Sequence, residues 1–425
     1  MIDDAVLHKS RCRIRAILGA KHMRTSDYYV LKVIAVVVAA VFLKYFLVDF
    51  VGSEFSSLLR FAAIVAVLAI GIGFVIRHVV GIIEGTTEVL QHRTGLSGGL
   101  LQSFGTALPD MVIGIVAALM SVRLASSDYA RSINLAIIAA AATFGSNIYN
   151  IFHAVWCLFR QNLANRTRRA LLMFPGFSRG GVVTPISKHK LKPSAQEFTT
   201  AIRVVLALSL LTMAVAISMV LFGRVAVPPE GFREDLYRLT KSAGLAIAIL
   251  CVGVLYMFRK NHRQDVPFGA VLQEERYYAK QSTLRIWVDL VVSGIAIFFA
   301  AEAMVAAIEA FAELTRTPYI LAGVLAGIIG CLSEMAVIHQ FVVHPKGRVG
   351  DAIVGVGMDN ILTTLGAALV AVLGGIFLGG AALILIFVVI LTANILLIAQ
   401  IAELRESVAH VGGKPISLHQ SSRNP

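Results

Sequence analysis

Gly105-Thr106-Ala107-Leu108-Pro109-Asp110 lies inside one apolar run of this chain, and Gly145-Ser146-Asn147-Ile148-Tyr149-Asn150 lies inside the next. Both stretches set polar side chains where a membrane helix rarely carries them. An ionised carboxylate is expensive in a bilayer unless it is paired, hydrated or metal-bound, so Asp110 is a functional candidate by default. Proline lacks an N–H and its ring presses on the preceding turn, so Gly105 and Pro109 predict an interrupted helix. Backbone carbonyls freed by such a break are tolerated in a membrane only where they face protein, water or an ion. Carbonyl oxygens beside a carboxylate form a site for a hard cation. Ser146 and Asn150 are four residues apart, hence on one helical face, and add two neutral oxygens.

The same order recurs later. Ile329-Gly330-Cys331-Leu332-Ser333-Glu334 aligns without gaps on Gly105 to Asp110, and Met358-Asp359-Asn360-Ile361-Leu362-Thr363 aligns on Gly145 to Asn150. Upstream, Glu84 and Glu88 match Glu309 and Glu313 with one gap. Acid pair, broken helix with an acid, and polar helix therefore occur twice. The deep acids are Asp110, Glu334 and Asp359, and these are the expected metal ligands.

The surrounding chain is that of an all-α polytopic membrane protein. Hydrophobic residues make up 57% of 425 and charged residues 15%, too little charge for a soluble surface of this size. Continuous apolar runs, rather than alternating ones, favour helices over a barrel. About ten spans are expected, at roughly 30–51, 58–84, 96–122, 132–159, 199–223, 240–258, 286–313, 318–343, 351–374 and 379–402. The net charge of +13 sits in the gaps between runs, so it reports topology rather than nucleic-acid binding. Residues 160–198 carry Arg160, Arg166, Arg168, Arg169, Arg179, Lys188, Lys190 and Lys192 against the single acid Glu197. Residues 259–285 are basic too, whereas 224–239 mixes both signs. Ten crossings from a cytoplasmic N-terminus put every loop on the side its charge demands, with both termini inside. On that orientation the first broken helix runs outward and the second inward. The repeats are inverted around a midplane cation site, a common plan of secondary transporters.

The expected organisation is a basic cytoplasmic tail (1–29), an extra N-terminal helix (30–51) and a first half with the first repeat (52–159). A basic loop (160–198), two further helices (199–258) and a cytoplasmic linker (259–285) follow. The second half with the second repeat spans 286–402, and a polar, flexible tail 403–425. The run from Val30 to Val51 is long for a secretory signal and contains Lys32 and Lys44, so it reads as a retained helix. Cys12, Cys157, Cys251 and Cys331 are scattered, with neither metal spacing nor a disulfide framework.

Gly-Thr-Ala-Leu-Pro-Asp followed by Gly-Ser-Asn-Ile-Tyr-Asn resembles the α-repeat of the calcium/cation antiporter superfamily, and within it the sodium/calcium exchangers, whose repeats read approximately GTSLPE and GSNIFN. The resemblance covers about 58–402. It implies ten core helices, two α-repeats, and exchange of calcium against sodium or protons by alternating access. It puts Thr106, Asp110, Ser146 and Asn150 on ion-binding positions, and Gly330, Glu334, Asp359 and Thr363 on the matching ones. The departures are specific. Ala107 and Cys331 replace two hydroxyl ligands that help hold sodium, and Ser333 replaces the second helix breaker. Thr363 stands where many exchangers carry Asp, while Asp359 lies one turn earlier on the same face, about 6 Å along the axis. One helix, not two, follows the last repeat span.

Two or three carboxylates with neutral oxygens suit a dehydrated divalent cation. Close carboxylates repel when the ion leaves, so protons can take its place and either sodium or protons can drive exchange. His153, three residues after Asn150, is a candidate proton relay, against the plainer reading of a histidine bonded between helices. Glu84, Glu88, Glu309, Glu313, Asn147 and Asn360 are candidates for an ion-entry vestibule or for support of the site, with solvated span ends as the plainer reading of the glutamates. Absence of His-Glu-x-x-His and of a Ser/His/Asp set argues against an enzyme. No resident cofactor is expected; membrane lipid and inorganic cations are the expected partners, and the sequence leaves the oligomeric state open, a monomer included. Short loops suggest a prokaryotic plasma membrane. The alternatives are an antiporter for potassium, magnesium or manganese, and a degenerate relative that binds a cation without moving it.

Overall fold

A computed structural model describes residues 25–412, apart from 53, 95–97, 187–192, 227–234, 260–276, 345–348 and 375. The basic tail up to residue 24 lies outside the described residues. Helix α1 is Thr25–Phe42 and runs on through a π segment, Leu43–Leu47, and a 3-10 turn, Val48–Val51. Helix α2, Ser57–Ile70, passes through a second π segment, Gly71–Ile76, into α3, Arg77–Thr94. Then come α4, Gly98–Leu124, and α5, Tyr129–Thr167. A hairpin of β1, Leu171–Phe174, and β2, Phe177–Val183, precedes α6, Ala195–Phe222. Strand β3, Leu236–Arg238, leads into α7, Lys241–Arg259. The second half holds α8, Thr283–Thr315, α9, Tyr319–Val343, α10, Val349–Leu373, strand β4, Phe377–Gly379, and α11, Gly380–Gly412.

Every one of the ten apolar runs is helical. In hydrocarbon each backbone N–H and C=O must be satisfied within the segment, which only a helix achieves for a single strand of chain. Eight helices of the described residues are long and apolar enough to cross a bilayer, and nine with the bent α9; α4 contributes the shorter apolar stretch Met111–Leu124. The fold is an all-α polytopic membrane protein. Leu210, Ile217, Ile249, Val252, Leu385 and Ile395 are exposed on α6, α7 and α11, as lipid-facing side chains must be. Capping fixes several helix ends. Ser194 and Glu197 form a reciprocal capping box at α6, Ser282 caps α8, and Asp128 accepts from the Arg131 N–H at the start of α5. Arg168 and Arg316 adopt left-handed backbone and stop α5 and α8.

Contacts between connectors sort the helix ends into two groups. At one end, Arg93 of α3 donates to the Ala279 carbonyl at 2.9 Å, Tyr29 stacks on Tyr277 at 4.2 Å, and Arg166 pairs with Glu403 at 2.9 Å. At the other, Arg60 of α2 pairs with Glu313, and β3 pairs antiparallel with β4, Leu236 facing Gly379 and Arg238 facing Phe377. The chain alternates between these ends at each helix. Consequently α4 runs away from the hairpin end and α9 runs toward it. The hairpin end is the one that carries Arg166, Arg168, Arg169 and Arg179.

Three features differ in detail from the expected layout. Helix α5 continues past 159 to Thr167, and the basic loop contains the hairpin, whose turn uses Gly176 at φ +79. The stretch after 402 stays helical to Gly412, with Glu403 held by Arg166. The breaks also fall unevenly. Helix α4 is one helix through Pro109, whereas α9 bends by 50° between Leu332 and Glu334, where proline is missing. A proline within a membrane helix is tolerated where packed neighbours hold the helix together. Gly330 and Ser333 in α9 are a pairing at which helices kink.

Candidate cation site

The most extensive helix pair is α5 with α9, and glycines make it close. A Cβ on Gly327 would stand 2.6 Å from the Ala142 carbonyl oxygen and 2.6 Å from the Ser146 nitrogen. One on Gly323 would stand 2.9 Å from the Ile138 carbonyl oxygen, and one on Gly145 would stand 3.0 Å from the Val324 Cα. Gly323 and Gly327 are four apart, the small-residue spacing that lets membrane helices touch backbone to backbone. This approach draws the polar face of α5 against α9 just where α9 bends.

At that point Asn150 donates from Nδ2 to Glu334 Oε2 at 2.5 Å, linking residues 184 positions apart. Both are buried, with relative exposures of 0% and 2%. Ser146 and Asn147 are buried one turn away; Ser146 Oγ donates to the Thr143 carbonyl at 2.8 Å. The side-chain carbonyl oxygens of Asn147 and Asn150 are buried and accept no hydrogen bond among the described residues. Buried acceptors are nearly always satisfied, so two such oxygens beside a carboxylate need an explanation, and a cation supplies one. Gly330, also buried, lies one turn before Glu334 on α9.

The second polar helix, α10, packs against α4, α5 and α9. It carries Asp359, Asn360, Thr363 and Thr364 as buried residues near its middle. Thr363 Oγ1 donates to the Asp359 carbonyl at 3.1 Å and Asn360 Nδ2 to the Val356 carbonyl at 2.7 Å. Both therefore turn a donor back onto their own helix. Thr106 and Asp110 sit on α4, but their side chains, like those of Glu84 and Glu88 on α3, lie outside the described residues. The cross-packing is reciprocal: α5 of the first half meets α9 of the second, and α10 of the second meets α4 of the first.

Eight solved chains are similar to this one, and two of them illustrate the likeness. One is native YfkE, 14% identical, covering 90% of this chain and 99% of that one with a TM-score of 0.44. The other is the sodium-calcium exchanger NCX_Mj soaked with sodium and strontium, 12% identical, covering 84% and 99% with a TM-score of 0.40. No protein-family model matches the chain. No curated relative matches it either.

The glutamates of α8 have partners on other helices. Glu309, buried, receives Arg131 Nε at 2.7 Å and Nη2 at 2.9 Å. Glu313 is paired with Arg60 at 2.5 Å, and Glu302 with Lys44 at 2.5 Å. These acids fasten α8 to α5, α2 and the end of α1. His153 stacks against His339 of α9 with ring centroids 6.0 Å apart, and Cys157 lies 3.5 Å from its Nε2. Two polar features escaped the sequence reading. Asn394 is fully buried on α11 with neither side-chain atom hydrogen-bonded among the described residues, and its only signal was a lone Asn in an apolar run. Arg131 as the partner of Glu309 had no local signal, since 178 residues separate them.

Proposed function

We propose that this protein is a secondary cation antiporter that exchanges calcium against sodium or protons by alternating access. The observation that carries the reading is the Asn150–Glu334 hydrogen bond across the α5–α9 interface, flanked by the unsatisfied carbonyl oxygens of Asn147 and Asn150. Carboxylate and amide oxygens converging in a dry place form a hard-cation site. Asp359 and Thr363 on α10 and Asp110 on α4 are the further ligands by position, and Thr106, Ser146 and Gly330 contribute neutral oxygens. The opposed directions of α4 and α9 and the reciprocal packing of the two halves support an inverted repeat, whose halves can exchange inward- and outward-facing shapes around one site. The basic hairpin end is the cytoplasmic one by the positive-inside rule, which keeps both termini inside.

Calcium leaves only if something offsets the repulsion it neutralised. Sodium or protons do so, and Ala107 and Cys331, where hydroxyls would help hold sodium, favour protons.

The test is flux in proteoliposomes. Vesicles loaded with sodium, or holding an acid interior, are given labelled calcium, with Asp110→Asn and Glu334→Gln in parallel. Uptake that needs one gradient and is lost in both variants establishes exchange and names the coupling ion. No calcium uptake under either gradient overturns the calcium reading. Potassium, magnesium and manganese are then assayed, and binding without flux of any of them identifies a non-transporting relative.

A further inference from the structure

Between the hairpin and the Asn150–Glu334 contact lies a second group of ligating side chains with different chemistry. His153 and Cys157 are four apart on α5 and share a face. His339 meets them from α9, five residues beyond Glu334. One ligand atom from each lies within 4.8 Å of the other two, and Cys157 Sγ is 3.5 Å from His153 Nε2. We propose that His153, Cys157 and His339 bind a borderline-soft transition metal ion such as zinc, bridging the two halves of the protein.

The donors decide the class of ion. Two imidazoles and a thiolate suit zinc, copper or cobalt and are poor ligands for calcium, magnesium or sodium, which take oxygen. Around a tetrahedral zinc such atoms stand roughly 3.5 Å apart, so the group closes on an ion with small side-chain movements. Three protein ligands leave one position for water, and binding releases the thiol proton.

The surroundings hold the ligands in place. His339 is stacked between His153 at 6.0 Å and Phe174 of the hairpin at 5.7 Å. Phe174 in turn lies parallel to Trp156 at 6.4 Å. Cys157 is fully buried, while both histidines are half-buried and face the hairpin end.

A metal here clasps α5 to α9, the helices that carry Asn150 and Glu334. Resting on the antiporter reading, it holds the two halves in one arrangement and blocks flux.

Cobalt(II) tests the site without reference to transport. Purified protein is titrated with cobalt chloride and followed by absorption, alongside Cys157→Ser and His339→Gln. The expected result is one thiolate-to-cobalt charge-transfer band saturating at about one ion per chain. That band is absent in Cys157→Ser, its affinity is at least about tenfold weaker in His339→Gln, and zinc displaces it. No band in the unaltered protein overturns the site, as does a band that survives Cys157→Ser. Unchanged affinity in His339→Gln overturns the bridge between the halves. Failure of calcium flux leaves this result standing, because the band reports binding alone. A site that binds cobalt through Cys157 while zinc leaves flux untouched overturns the clasp.

Discussion

Arg131 engages both carboxylate oxygens of Glu309, through Nε at 2.7 Å and Nη2 at 2.9 Å, and so pins the first turn of α5 to α8. The Glu309 side chain is 4% exposed and that of Arg131 48%. Removing one partner of a buried pair costs about 3–5 kcal/mol, since the other is left charged and dry. The half-exposed arginine softens this to roughly 1–3 kcal/mol. Arg131→Ala is expected to lower the melting temperature in detergent by several degrees, and Glu309→Gln by less. An unchanged melting temperature in Arg131→Ala would mean that Glu309 is hydrated, as an ion-entry residue would be.

Asn150→Asp tests whether the α5–α9 contact holds a cation. It sets a second carboxylate against Glu334, where Asn150 now donates at 2.5 Å. Two buried carboxylates repel unless an ion lies between them. The variant is expected to melt lower than the unaltered protein in chelator and to recover with added calcium, because an ion that binds only the folded state stabilises it. A melting curve indifferent to calcium would remove the cation from this contact.

The glycine seam makes a sharper structural prediction. A methyl at Gly327 meets the Ala142 carbonyl and the Ser146 nitrogen at 2.6 Å, both backbone atoms that cannot swing away. Gly327→Ala is expected to cost about 1–3 kcal/mol by forcing the helices apart. Gly294→Ala on α8, where nothing lies within 4 Å, is the control and is expected to leave stability equal or slightly raised. Equal melting temperatures for the two variants would contradict the seam.

The hairpin hangs on two side chains of α5. Trp156 Nε1 donates to the Met173 carbonyl at 3.2 Å, and Arg160 donates from Nε to the Leu172 carbonyl at 3.1 Å and also from Nη2. Arg160→Ala removes the latter pair and is expected to speed limited proteolysis within 171–183 severalfold with little change in melting temperature. Proteolysis at the original rate would show that Arg160 does not hold the hairpin.

How legible these features were follows from their range along the chain. The apolar runs were readable as helices because each is long, and the two ends because lysine and arginine gather between alternate runs. The Gly–Pro and Ser–Asn motifs pointed to α4 and α5 because their residues are neighbours in sequence. The hairpin was not readable: β1 is four residues long, β2 contains Arg179, Gly180 and Gly181, and the carbonyls of β1 are held by side chains of a helix expected to end at 159. The pairing of Glu403 with Arg166, which keeps α11 helical beyond 402, joins distant segments and leaves no local trace. His153 and Cys157 stood at helical spacing all along, but the third ligand, His339, comes from the other half. Ser333 in place of proline predicts a weaker break in α9, yet α9 bends by 50° at a glycine and a serine.

The ribbon of β3 and β4 joins the connector before α7 to the connector before α11. Together with the glycine seam and the ion pairs of α8, it means that each half of the protein is the other's scaffold. The halves on either side, up to Arg259 and from Tyr277, are thus held by contacts as well as by the chain that joins them. A gene divided between residues 259 and 277 is expected to encode two chains that co-purify as one protein when expressed together.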